Sequence, residues 1–327
     1  ALYHKLEIPV VLVETMPLSL YDPWVPPFTS GLIPKQTGIS RLGIRLAWEK
    51  IVIARKIRNL FFSMLLCRQD YFSLYKRLFL ECGFPFEEKI DWRRPFIIGI
   101  KESKILSMNP SSLDFPRKYP PNCQYAPSRV DLNREDPMLN RRYARVMEEV
   151  CLQKQQRPDT KIIYCFSSTV MGFEKRSKII FMKIMDICLR NPQFVFILSV
   201  GKYHNTSYLL PCPSNLYVFQ QVPQLHLLSY CDLMITSGGM NSIAECIEKE
   251  VPMLVCPLSL KSDQLGNSAR VVYHGLGLRA RIKLDSSRTI EKRIVQLFEN
   301  YATFKRNLSM MRTKILAEST AINTEVI

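Results

Sequence analysis

Thr236 to Ala269 reads TSGGMNSIAECIEKEVPMLVCPLSLKSDQLGNSA, and this stretch decides the fold. The apolar run Leu233 to Ile235 ends in a polar Gly-Gly turn, and an amphipathic helical pattern starts directly after it. A second apolar run, Pro252 to Cys256, leads into Asp263-Gln264 and another helix. Strand, glycine turn, helix, strand, helix is the rhythm of a parallel sheet. Backbone N–H groups at such a turn point outward together, and the helix dipole adds partial positive charge there. The turn is therefore a candidate anion site. The polar side chains around it suit a phosphorylated ligand rich in hydroxyls, such as a sugar nucleotide.

The same rhythm extends in both directions. Ile162 to Phe166, Phe194 to Val200 and Leu216 to Phe219 are predicted strands, and Lys175 to Arg190 is a predicted helix. Further helices are predicted near Asn241 and Asp263, and Thr289 to Leu316 reads as a basic, amphipathic closing helix. Ligands of parallel sheets sit at the carboxyl ends of the strands, where every residue of the opening motif falls. The first half is less regular. Ile8 to Val13 reads as a short strand, followed by PLSLYDPWVPPFTSGLIP, whose prolines oppose regular structure. Ile44 to Leu80 is predicted as one long helix, and Ile105 to Met108 and Gln124 to Ala126 as short strands. By pattern, about three strands in the first ~130 residues are few for a self-sufficient α/β domain.

The 327 residues suffice for two domains with sizeable cores. Hydrophobic residues make up 47 % and charged residues 23 %, as in ordinary globular proteins. Ten cysteines occur without CxxC pairs or metal-like spacing, which suits buried thiols in a reducing cytoplasm. No signal peptide and no uncharged membrane-spanning stretch is visible. The net charge of +16 favours anionic partners: phosphorylated substrates, acidic lipid or nucleic acid. Nucleic acid is the least supported, because no interleaving of basic and aromatic residues marks an RNA-binding pattern. Peripheral contact with an anionic membrane fits the charge better.

The motif also carries a resemblance. Gly238-Gly239-Met240-Asn241-Ser242, Glu245 and Asp263-Gln264 resemble the donor-sugar signature of UDP-glycosyltransferases, in particular the bacterial macrolide-glycosyltransferase-like branch. Val222-Pro223-Gln224 before the motif, and Asn267 with Gly275-Leu276-Gly277 after it, match in the same order. Five ordered elements within about sixty residues are far more specific than a lone Gly-Gly turn. The resemblance implies an α/β, GT-B-like protein of two Rossmann-like domains with parallel sheets. The expected organisation is a partial, acceptor-side N-terminal domain over 1–135, a linker over 136–160, and a nucleotide-sugar-binding domain over 161–327. Ala1 to Val13 resembles the middle of the family's first domain, so the opening strands are expected to lie upstream.

The resemblance further implies transfer of a hexosyl group from a UDP-sugar to a hydroxyl of an apolar small molecule or lipid. The displacement is inverting, with no metal and no cofactor. Ser168, Ser237, Gly238, Gly239, Asn241 and Ser242 are the expected diphosphate contacts. Val222, Gln224 and Glu245 are expected at the uridine, and Asp263 and Gln264 at the donor sugar. Each has a plainer reading: helix caps for Asn241, Ser242 and Asp263, a solvated helix charge for Glu245, a turn serine for Ser168. Departures weaken the match, since the family usually has His at Ser237 and glycine at Ser167. Gln221 stands where an aromatic often stacks on uracil, a contact worth ~1–3 kcal/mol by analogy with base stacking.

The family's catalytic His, and the Asp that orients it, are expected upstream of Ala1. His4, His204, His226 and His274 do not match that base, so no catalytic residue is assigned. Trp48, Phe61, Phe62, Met64, Tyr71 and Phe72 are candidates for an apolar acceptor pocket, with core packing as the plainer account. Arg41, Arg45, Lys50, Arg55, Lys56 and Arg58, before or between the apolar residues of that helix, suit either anionic lipid or simple solubility. The rival functions are a non-catalytic sugar-nucleotide-binding or membrane-associated pseudoenzyme, and a UDP-sugar epimerase or hydrolase of the same architecture.

Overall fold

A computed structural model describes residues 8, 10–95, 99–101, 103–118, 120–127, 130–134, 141–166, 174–202 and 205–322. The chain divides into two compact units, residues 1–128 with 321–327, and residues 129–320.

The second unit is built on a six-stranded parallel sheet. Its strands are β6 (Lys161–Phe166), β7 (Phe194–Ser199), β8 (Leu216–Phe219), β9 (Leu233–Thr236), β10 (Met253–Val255) and β11 (Gly277–Arg279). Their spatial order is β11-β10-β9-β6-β7-β8, so the chain runs outward from β6 to one edge, returns beside β6, and runs to the other. That is the doubly wound order, and its switch point lies between β6 and β9. Strands covered on both faces read as unbroken apolar runs, which is why they were legible. All six residues of β7 are buried.

Among the described residues six α-helices accompany this sheet: α4 (Arg141–Gln156), α5 (Glu174–Arg190), α6 (Gln224–Leu228), α7 (Met240–Glu248), α8 (Gln264–Tyr273) and α9 (Ser287–Glu299). A seventh, α10 (Tyr301–Ile322), follows. The core joins Ile163, Phe196 and Ile235 of the sheet to Phe181 and Ile184 of α5 and Ile290 and Ile294 of α9. The helix expected over Thr289 to Leu316 is two helices. Asn300 ends α9, and its side-chain amide donates to the Gln296 carbonyl at 2.9 Å.

The first unit has a three-stranded parallel sheet, ordered β1 (Val11–Glu14), β4 (Lys104–Ser107) and β5 (Cys123–Tyr125). A two-residue ribbon, β2 (Ile90–Asp91) with β3 (Gly99–Ile100), is antiparallel and was not anticipated. The predicted helix Ile44 to Leu80 is also two helices, α1 (Gly38–Leu65) and α2 (Tyr71–Glu81), with the short α3 (Phe86–Lys89) after them. Cys67 and Arg68 adopt left-handed φ of 47° and 62°, which stops α1. Asp70 then caps α2 by accepting from Phe72 N and Ser73 N at 3.0 and 3.1 Å. Apolar spacing is nearly continuous across this break, so periodicity alone hid it.

Candidate functional site

Thr236 ends β9 at the switch point, and Ser237-Gly238-Gly239 turn the chain into α7. Gly238 has φ +88°, and a Cβ there would stand 2.7 Å from Val255 Cγ1. Only glycine meets both demands. The Gly238 amide donates to Thr236 Oγ1 at 3.2 Å, and its carbonyl accepts from Asn267 Nδ2 at 2.9 Å. Asn267 Nδ2 also donates to Asp263 Oδ2 at 2.8 Å, so α8 clamps the turn. Asn267 is 1 % exposed. Sequence matching noted it only as a supporting residue.

Gly239 is the N-cap of α7 and supplies no side-chain cap. The first helical bond runs from Ile243 N to the Gly239 carbonyl at 3.1 Å. The amides of Met240, Asn241 and Ser242 therefore precede the helical ladder, and space is open where a Gly239 Cβ would stand. Asn241 and Ser242 follow the cap and do not serve as it. Asn241 is exposed, while Ser242 is buried and accepts from Gln224 Nε2 at 3.3 Å. A small, largely apolar cavity beside Ser237, also lined by Phe166, Phe181 and Leu258, is too small for a sugar or a base.

Glu245 is 4 % exposed, and both of its oxygens are held. Arg134 Nη1 donates to Oε1 at 2.8 Å and Gln224 Nε2 to Oε2 at 2.7 Å. Gln224 opens α6 and accepts in turn from the hydroxyl of buried Tyr164 on β6, at 3.1 Å. Burial pushes the Tyr164 hydroxyl well above its ordinary pKa, so it stays a donor. The network fixes the Glu245 side chain in place as an acceptor with lone pairs to spare. This is no free helix charge. Val222 is buried just before α6, and its peptide groups enter none of the hydrogen bonds among the described residues.

Asp263 and Gln264 begin α8 and play unequal parts. Burial raises the Asp263 carboxyl above its ordinary pKa, with the Asn267 amide opposing. Asp263 makes no capping bond to α8 through its side chain. Gln264 spends its side-chain oxygen on the amides of Leu258 and Ser259, both at 2.8 Å, leaving Nε2 as the available group. Ser167 and Ser168 lie outside the described residues, as do His4 and His204. His226 Nδ1 lies 2.9 Å from the hydroxyl of buried Tyr143, tying α6 to α4. His274 caps the end of α8. The proposed acceptor side chains do not share a face: Trp48 is buried beside Tyr21 and Phe72 packs on Phe86 and Trp92, whereas Phe61, Met64 and Tyr71 are exposed.

A doubly wound unit with an uncapped helix at its switch point defines the class of site, and comparisons place the fold among known proteins. Residues 204–317 match the family model of UDP-glucoronosyl and UDP-glucosyl transferase. Over 98 residues the chain is 37 % identical to the NDP-glycosyltransferase YjiC of Bacillus subtilis, covering 30 % of this chain and 24 % of that protein. Over 101 residues it is 34 % identical to the zeaxanthin glucosyltransferase of Pantoea ananas, covering 31 % and 22 %. These aligned stretches take in only about a quarter of each relative's length. Among solved structures, the glycotransferase of kitacinnamycin superposes with a TM-score of 0.61 at 18 % identity, over 97 % of this chain and 69 % of that one. The fold is GT-B-like, and the resemblance to UDP-glycosyltransferases read from the motif stands.

Proposed function

We propose that this protein is a glycosyltransferase that moves a hexosyl group from a UDP-sugar to a hydroxyl of an apolar small-molecule acceptor. The observation that carries the reading is the pairing of three unladdered amides at the start of α7 with a fixed Glu245 carboxylate one turn on. The amides and the helix dipole suit a diphosphate, the carboxylate suits two ribose hydroxyls, and the idle peptide groups of Val222 suit a base edge. Asp263 and Gln264 Nε2 would then meet the donor sugar. Stabilising the leaving diphosphate is the part of catalysis these residues can supply. An inverting displacement without metal or cofactor is the course the resemblance implies. A relative named for zeaxanthin supports an apolar acceptor. Peripheral contact with an anionic membrane fits an acceptor of that kind.

Ser237 favours a second reading, a non-catalytic sugar-nucleotide-binding protein. A buried serine brings a hydrogen bond but no positive charge to the diphosphate. Calorimetric titration with UDP and UDP-glucose, with Glu245→Ala as the comparison, tests the donor site. Saturable binding weakened at least about tenfold by the substitution, or ~1.4 kcal/mol, is the expected result. A folded chain that binds neither ligand refutes the donor site. Binding without release of sugar to any apolar hydroxyl acceptor would favour the second reading.

A further inference from the structure

Helix α1 is anchored by one face and carries a second apolar face on the other. Ile44, Trp48 and Arg55 are its buried residues. Trp48 Nε1 donates to the Val25 carbonyl at 2.9 Å, and Arg55 Nη1 to the Trp92 carbonyl at 3.0 Å, which fixes the rotation of the helix. At 3.6 residues per turn, Ile39, Leu46, Ile53, Ile57, Leu60 and Met64 fall within about 60° of arc, roughly opposite that anchor. All six are exposed, Ile39 to 88 %, Ile57 to 63 % and Met64 to 71 %. The stripe runs for ~38 Å at 1.5 Å per residue. An apolar strip of this length is not the scatter of single exposed residues that surfaces normally show.

The charges beside the stripe identify what covers it. Arg45 and Lys56 lie beyond one edge, Lys50 lies about 20° beyond the other and Arg58 farther round; all four are exposed. Glu49 is the only acidic residue of α1, and it pairs with Arg93. A second copy would bring this basic helix against its own like, in line with a net charge of +16 that repels copies of the chain. A dry protein interface would also have to take in Lys50 at the margin of the stripe. At a bilayer surface the same residue extends its ammonium to the phosphates while its stem stays among the acyl chains. No helix among the described residues is long and apolar enough to cross a membrane, so the geometry is that of a helix lying in the interface plane.

We infer that the exposed face of α1 seats this protein on a membrane surface bearing anionic phospholipid. The lipid contact stands on α1 itself; its corollary, that the acceptor is drawn from the membrane, rests on the transferase reading. The test is sedimentation of the full chain with vesicles of phosphatidylcholine alone, and with about one-third phosphatidylglycerol, where partition at least about tenfold stronger is expected. Salt at about 0.5 M should remove most of that preference. The triple variant Ile53→Ser/Ile57→Ser/Leu60→Ser should lose at least about tenfold on anionic vesicles. Arg45→Gln/Lys56→Gln/Arg58→Gln should fall to the level of phosphatidylcholine alone. Circular dichroism and UDP titration of each variant should match the parent, since these side chains are exposed and distant in sequence from the donor site. Equal partition into both vesicle types, no partition by the folded chain, or variants that partition like the parent would overturn the inference. So would a dimer in sedimentation velocity that the serine variant abolishes. A chain that binds UDP but not vesicles removes the lipid contact alone, and the converse removes the donor reading alone.

Discussion

Two adjacent glycines with opposite requirements give the sharpest test of the donor site. Gly238 combines φ +88° with a Val255 methyl at 2.7 Å from its missing Cβ, so Gly238→Ala should cost about 1–3 kcal/mol or more. Gly239 has an ordinary φ of −66° and open space before it, so Gly239→Ala should cost only about 1 kcal/mol, the loss of a favoured N-cap residue. A methyl there would nevertheless take up the open space at the start of α7, and with a diphosphate seated there UDP affinity should fall. Urea denaturation and calorimetry on the pair separate fold from ligand; unchanged affinity in Gly239→Ala would remove the amides from the site. Asp263 gives a pH-dependent counterpart. Its folded-state pKa is raised by burial, so deprotonation costs stability, in full above that pKa and progressively less as the pH falls toward the unfolded value. Asp263→Asn should therefore be the more stable protein at neutral pH, and the difference should close toward about pH 4, the ordinary carboxyl range. Equal stability at neutral pH would mean that burial exacts no such cost. The glycine turn was legible because its requirements are local. Arg134 was not, because a contact reaching across 111 residues to Glu245 leaves no periodic trace. Tyr164, inside the run KIIYCF, reads as a core aromatic, and nothing local marks its hydroxyl as the support of Gln224.

At the scale of elements, the strands of the second unit were placed to within a residue or so because each is an apolar run bounded by turn residues. The exception was β11, three residues long and opened by a glycine, too short to show alternation or a run. Gly277 is nevertheless fixed by packing, since a Cβ there would meet the Met253 carbonyl oxygen at 2.0 Å. Backbone cannot yield as a flexible side chain can. Gly277→Ala should destabilise the β10–β11 edge by about 3 kcal/mol or more, read as a lower denaturation midpoint with unchanged slope. A midpoint equal to the parent's would show that this edge relaxes freely. The helices of the first unit were legible in kind but not in number. Asp70 and the left-handed pair before it end one helix and start another without interrupting the apolar spacing, so a capping residue decided what periodicity could not. The first unit also relies on polar staples within its fold. Arg94, almost fully buried, donates to Glu14 Oε1 at 2.7 Å, and Glu14 in turn accepts from Ser19. Such pairs hold the end of a strand in place more than they add net stability.

For the molecule as a whole, most buried apolar side chains among the described residues belong to residues 129–320, and the first unit shows a three-stranded sheet with its ribbon. Heating should therefore give two transitions, the earlier from the first unit. UDP at a hundredfold excess over its Kd should raise only the later one, equivalent to about 2.7 kcal/mol. A single transition that UDP shifts as a whole would mean that the units unfold together. The order of the large sheet has another consequence, for a chain still being made. Strand β6 is central, yet one of its two neighbours is β9, and Ile163 pairs with Leu233, synthesised much later. At 5–20 residues per second that partner arrives no sooner than about 4 s after it. In the interval β6 has β7 and β8 on one side and bare backbone on the other. A strand flanked on both sides in the finished sheet is thus an open, apolar edge on the ribosome, and that is when it is exposed to aggregation.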